Sequence, residues 1–176
     1  MFKISESEMA YLTIEEIRTL LAECENSRSK DLTTIVKICL ATGARWSEAE
    51  GLKGNQIRAG QIIYVKTKGK KNRAVPITEK LQAELPLSRK AQLLFKPCYS
   101  AFRKAMQRAG IETPAGQLTH ILHQTFASHF MMNGGNILVL KRILGHTDIK
   151  VTMRYAHFAP DHLSEALRLN PLSIMD

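Results

Sequence analysis

The 176-residue sequence contains no apolar run near the length a membrane-spanning helix requires. No charged, apolar and small-residue segment of the secretory kind opens it. The chain is therefore expected to act in the compartment where it is made, with no membrane partner. Cysteine is scarce. Three residues, Cys24, Cys39 and Cys98, stand far apart and odd in number, and none belongs to a CxxC or Cys/His pattern. That argues against a disulfide framework and a structural zinc site. No glycine-rich phosphate loop and no carboxylate cluster is present either. Acidic residues are also short, with 16 against 25 lysines and arginines, for a formal net charge of +9. Such an excess suits a polyanion, nucleic acid being the commonest, although a merely basic protein has the same arithmetic.

What is present reads as one domain with an ordinary apolar fraction of 44%. Residues 1–11 lack a period and read as a tail or linker remnant, 12–172 as the domain, and 173–176 as a second tail. Thr13 and Glu16 form a capping box ahead of Ile14, Ile17, Leu20, Leu21 and Cys24 at helical spacing. Asp31 can cap a second helix with a stripe of Leu32, Ile35, Val36, Cys39 and Leu40, stopped by Gly43. The period then changes. Residues 61–65 and 74–77 read as two antiparallel strands joined by a long basic turn, with Pro76 confining its strand to an edge or an end. Helices follow near 79–85, 99–109, 119–132 and 136–144, the last capped by Asn136 and stopped by Gly145. A short helix or turn covers 148–155, and Pro160 suits the first turn of a final helix reaching about Leu169. The fold class is mainly α with a small antiparallel β-sheet (α+β).

The candidate chemistry concentrates between Leu118 and Phe158, which hold His120, His123, His146 and Tyr155. Tyr155 lies in a polar setting, beside Arg154 and His157, where a reactive tyrosine is more natural than a structural one. His120 and His123 share a helical face, but no HExxH pattern accompanies them, so no metal site is read there. His129 pairs with nothing at motif spacing and reads as packing. Arg45 is either an exposed charge or a guanidinium held by Glu48. The lysine-rich turn either reaches into a nucleic-acid groove or guards a sheet edge.

Taken together these segments resemble the tyrosine recombinases, and among them the integrases of temperate bacteriophages. The segments are Ala41-Thr42-Gly43-Ala44-Arg45-Trp46-Ser47-Glu48, then Lys68-Gly69-Lys70-Lys71-Asn72-Arg73-Ala74-Val75-Pro76-Ile77. Leu118-Thr119-His120 with Thr125-Phe126-Ala127-Ser128-His129 comes next, followed by Leu144-Gly145-His146-Thr147 and Thr152-Met153-Arg154-Tyr155-Ala156-His157. They occur in the family's order and span residues 11–172. The resemblance implies that family's catalytic-domain fold. It implies Tyr155 as nucleophile toward a DNA phosphodiester, with a 3′-phosphotyrosine intermediate. Arg45 would stabilise the transition-state charge, with Glu48 positioning it. Lys68 would protonate the leaving 5′-oxygen, with Lys66 and Lys70 as alternatives. His120 would assist proton transfer and His146 would donate to the phosphate. Lys66, Lys70, Lys71 and Arg73 would face DNA. No metal or other cofactor is implied, because the covalent intermediate conserves the bond energy.

One departure concerns the third segment. The family pattern H-x-L-R-H reads His120-Ile121-Leu122-His123-Gln124 here, so His123 stands in place of the second arginine. Imidazole is shorter and mostly neutral at pH 7, so a slowed cleavage step is expected. The readings that remain open are a weakened recombinase, a DNA-binding fragment of the same fold without turnover, and a type IB topoisomerase-like enzyme. The implied partners are double-stranded DNA attachment sites, DNA-bending accessory proteins, and further copies of the chain in a dimer or tetramer. The apolar residues Leu163, Ala166, Leu167 and Leu169 would either pack on their own domain or dock on a neighbour. A C-terminal catalytic portion alone would bind DNA weakly and in a salt-sensitive way. The implied place of action is the bacterial cytoplasm, on DNA.

Overall fold

The computed structural model describes residues 9–65 and 72–175. The expectations for Lys66, Lys68, Lys70 and Lys71 fall outside them. Among the described residues α-helices predominate around one three-stranded antiparallel sheet. No helix is long and apolar enough to cross a membrane.

Helix α1 (Ile14–Glu25) begins where the sequence says it should. The Thr13 hydroxyl accepts from the Glu16 amide and the Glu16 carboxylate accepts from the Thr13 amide. Helix α2 (Leu32–Thr42) buries Leu32, Ile35, Val36, Ile38 and Cys39 at the centre of the molecule. Asp31 does not cap it by side chain. Its carboxylate instead accepts from the Lys96 amide and ties in the loop before α5 (Tyr99–Arg108). Helix α3 (Trp46–Glu50) follows directly, and its Trp46 ring stacks on Phe102 of α5 with centroids 4.6 Å apart.

The sheet has one strand more than the periodicity predicts. Strand β1 (Ile57–Arg58) is only two residues long, too short to show alternation, and pairs with β2 (Gln61–Tyr64), which pairs with β3 (Arg73–Pro76). Pro76 is the last residue of an edge strand, where its missing N–H costs no ladder bond. Helix α4 (Glu79–Glu84) starts at the Thr78 cap.

Helices α6 (Ile121–Met132), α7 (Ile137–Leu144) and α8 (Ile149–Met153) carry the stretch rich in histidine. The side chain of Asn136 caps α7 and Gly145 ends it in the left-handed conformation. Two expectations are corrected. Residues 10 and 11 are not tail: Ala10 donates to Gln117, and the Tyr11 ring packs edge-on against Phe158. Beside them Leu12 is buried, its amide on the Thr125 hydroxyl and its carbonyl on His129 Nε2, which makes His129 the structural residue expected. The final helix does not start at Pro160. The Asp161 carboxylate accepts from the Leu163 amide, a 3₁₀ turn follows, and α9 covers only Ala166–Leu169.

The end of α2 is a tight crossing with α6 and α7. Gly43 adopts φ +71°, and a Cβ there would lie 2.6 Å from both Leu144 Cδ2 and Phe126 Cδ1. Gly43→Ala therefore has two costs, left-handed backbone and overpacking, summing to about 2–5 kcal/mol. The denaturant midpoint should fall accordingly with an unchanged slope; an unshifted midpoint would show that α6 and α7 yield freely at this crossing.

Candidate active site

The site is assembled from helix ends. Arg45 is the first residue after the α2 turn, with extended backbone, and its side chain is exposed. Its amide donates to Glu48 Oε1 at 3.0 Å. Glu48 thus positions Arg45 through the backbone. Its carboxylate faces a different guanidinium, that of Arg73, whose two terminal nitrogens reach Oε1 and Oε2 at 2.9 and 2.8 Å.

Arg73 is accordingly not the DNA-facing cation the sequence suggested. It is buried, donates through Nε to the Ile143 carbonyl, and lies over the Tyr64 ring. Strand parity was the signal: Arg73 and Val75 alternate with Ala74 and Pro76, and Val75 is a core residue. Burial alone would raise the Glu48 pKa. The hydrogen bonds from Arg73 and from the Arg45 amide outweigh it and hold the carboxyl below its ordinary value.

His123, on the first turn of α6, is also buried. Its Nδ1 lies 2.6 Å from the carbonyl oxygen of Gly43, two residues before Arg45. A carbonyl only accepts, so Nδ1 carries the proton and Nε2 is an acceptor in the neutral ring. Burial, helped by Arg45 and His146 and only partly opposed by the Gly43 bond, pushes the His123 pKa down to about 4. The His123 and His146 rings meet edge to face with centroids 5.9 Å apart. His146, just past Gly145, pairs through Nδ1 with the Thr152 hydroxyl at 2.8 Å.

Thr152 is fully buried one turn before Tyr155. Tyr155 is not in the polar setting its sequence neighbours suggested. It is buried against Ala127, Met131, Leu140 and Leu144. Residues 149, 152, 155 and 158 form a spaced inner stripe that foretells this. Burial raises the phenol's pKa, and the fields of Arg154 and Arg45 act against it. His120 is exposed at the start of α6, one turn before His123.

The structure thus joins four of the expected residues by a continuous path: Arg45 to His123 through Gly43, His123 to His146, and His146 through Thr152 to the segment bearing Tyr155. Among the described residues no group of three or more His, Cys, Asp or Glu side chains could hold a metal ion.

Residues 10–162 match the phage integrase family. The chain belongs to that family. The integrase of Escherichia phage 186 is 62% identical over 171 residues, 97% of this chain and 51% of that protein. The solved catalytic domain of bacteriophage HP1 integrase superposes with a TM-score of 0.89 at 60% identity, covering 94% of this chain and 98% of that one. The fold is therefore that of a tyrosine recombinase catalytic domain. A post-cleavage complex of the XerH site-specific recombinase shares the fold more distantly, with a TM-score of 0.67 at 24% identity over 92% of this chain and 53% of that one. The chain spans about half the length of the curated phage integrases it matches.

A nitrogen NMR titration tests the tautomer and the burial of His123. Its ring should stay neutral, with the proton on Nδ1, down to about pH 5. Because the folded pKa lies below the unfolded value, the stability tied to neutral His123 is complete above about 6.5 and is lost as pH falls toward 4. A measured pKa near 6.5 would mean that the ring is solvated.

Proposed function

We propose that this chain is the catalytic portion of an integrase that cuts and rejoins DNA at specific attachment sites. Tyr155 Oη attacks the phosphorus of a DNA phosphodiester, a 3′-phosphotyrosine forms, and the 5′-oxygen leaves as a hydroxyl. Attack by a 5′-hydroxyl of another strand reverses the step, so no phosphodiester is consumed and no energy source is required. The observation that carries this reading is the linked path from Arg45 through His123 and His146 to the segment bearing Tyr155, within a chain that is 62% identical to a phage integrase.

Each group has work suited to its surroundings. Arg45 is exposed on a backbone fixed by Glu48, and its fork suits two phosphate oxygens as charge develops on them. His146, oriented by the pairing of its Nδ1 with the Thr152 hydroxyl, is assigned a hydrogen bond to the phosphate. His120 assists proton transfer at the exposed rim. Lys68, outside the described residues, is assigned the proton for the 5′-oxygen, and Lys66, Lys70 and Lys71 are assigned to the DNA backbone. The partner is double-stranded DNA, bent by accessory proteins, in the cytoplasm of the bacterial host. The catalytic portion is assigned to residues 10–172.

His123 weakens this machinery. A neutral ring with its only N–H turned to Gly43 offers phosphate no donor. Losing one such donor costs on the order of 3 kcal/mol of transition-state stabilisation, roughly a hundredfold in rate. The same observation favours a second reading, a DNA-binding domain whose turnover is abolished. One experiment separates them: a nicked attachment-site substrate whose released fragment cannot religate. The expected outcome is a slow, denaturation-resistant adduct, absent in Tyr155→Phe and formed about a hundred times faster by His123→Arg. An adduct that survives Tyr155→Phe would remove the nucleophile assignment. No adduct from either the chain or His123→Arg would remove the enzyme reading.

The C-terminal segment supports self-association. Leu163, Leu167 and Ile174 are each 80% exposed, and Leu172 is 70% exposed. That is more apolar surface than a short segment keeps in water without a partner. We assign it to a second copy of the chain, in a dimer or tetramer on DNA. Light scattering should then show a concentration-dependent dimer that Leu163→Asp with Leu167→Asp returns to monomer. A monomer at high concentration, in the presence of site DNA as well, would refute the assignment.

A further inference from the structure

We propose that Arg154 supplies part of the positive charge at the reacting phosphate that an arginine at position 123 would have given. The inference rests on the recombinase reading above. Its starting point is the geometry of His123. The ring's proton is committed to the Gly43 carbonyl at 2.6 Å, which leaves Nε2 as an acceptor. A phosphodiester oxygen is also only an acceptor, so the two repel unless the ring gains a second proton. With burial holding its pKa near 4, that proton is absent at neutral pH. The site would then face a doubly charged pentacoordinate phosphorus with one arginine fewer than its chemistry calls for.

Arg154 is placed to fill that need. It directly precedes Tyr155, at the end of α8, and its side chain is exposed while the phenol beside it is buried. Neither Arg154 nor Arg45 forms an ion pair among the described residues, so neither guanidinium is spent on a protein carboxylate. Arg73 shows the contrast, being fully engaged by Glu48 and the Ile143 carbonyl. Among the described residues, the fields of Arg154 and Arg45 reach the Tyr155 phenol, and both favour its ionised form. A guanidinium there can donate to a non-bridging oxygen and offset the charge on the attacking oxygen in the same step.

A double-mutant cycle tests the claim. Adduct formation on the nicked site is timed in single turnover with saturating protein, for the chain, Arg154→Gln, His123→Arg and the double variant. DNA affinity is measured separately in each with Tyr155→Phe added, and thermal melting checks folding. Arg154→Gln should slow the chain about a hundredfold or more at saturation, yet cost His123→Arg no more than about threefold. Arg154→Lys should recover part of the rate, since it keeps the charge without the fork. Equal losses in both backgrounds, a loss confined to DNA affinity or melting temperature, or an adduct seen with His123→Arg and not with the chain would each overturn the inference alone. If neither background forms an adduct, the recombinase reading fails and the inference falls with it.

Discussion

The bidentate bond between Arg73 and Glu48 is the constraint on which the site depends. It joins a strand, the first turn of α3 and, through Ile143, the end of α7. Both side chains are largely withdrawn from water, at 7% and 21% exposure. Burying either charge alone is costly, and breaking such a pair by removing one partner costs roughly 3–5 kcal/mol. The pair therefore gains its importance less from net attraction than from what must remain in place to satisfy it. Glu48 has an oxygen on Arg73 and shares that oxygen with the amide of Arg45. The backbone of the exposed arginine is in this way registered against the sheet and against α7.

Two left-handed glycines complete the frame. Gly43 ends α2 and Gly145 ends α7, with φ of 71° and 70°. Each lets the chain leave a helix and present the next residues sideways, Arg45 in one case and His146 in the other. Leu144 and Phe126 press against Gly43 so closely that a Cβ would be excluded. The carbonyl of Gly43 is turned inward and takes the proton of His123. Backbone geometry at two helix ends thus decides which side chains meet, and does so before any substrate arrives.

Much of this was legible in the sequence, because caps and stops are local chemistry. Thr13 with Glu16, Asn136, Gly43 and Gly145 mark helix boundaries by their own side chains or conformations, and the structure uses all of them. The sheet was legible down to the edge position of Pro76, but β1 was too short to carry a period. Long-range pairing was not legible. Asp31 looks like a cap and instead holds Lys96, 65 residues away. Arg73 looks like one more cation in a basic turn, and only its parity with Val75 turns it inward. Tyr155 looks polar by its neighbours, while its face is set by residues three positions either side. The path from Arg45 to Tyr155 was foreshadowed only by the family's pattern, since its members lie far apart in the chain.

The charges of the site are sorted by depth, and that sorting bears on how a weak nucleophile could act. Inside lie the neutral His123 ring, the His146 ring against it, a threonine hydroxyl and a phenol whose pKa burial raises. The cations Arg45 and Arg154 stand outside, in water, where their attraction for the phenol is screened. A duplex laid across this face would displace that water and bring a phosphate between the arginines. Their fields would then act in a lower dielectric on both the phosphate and the attacking oxygen. An arginine at position 123 would have carried one cation inward. With a neutral imidazole there, the pull of Arg45 and Arg154 on a phosphate would depend on the water that the duplex itself displaces.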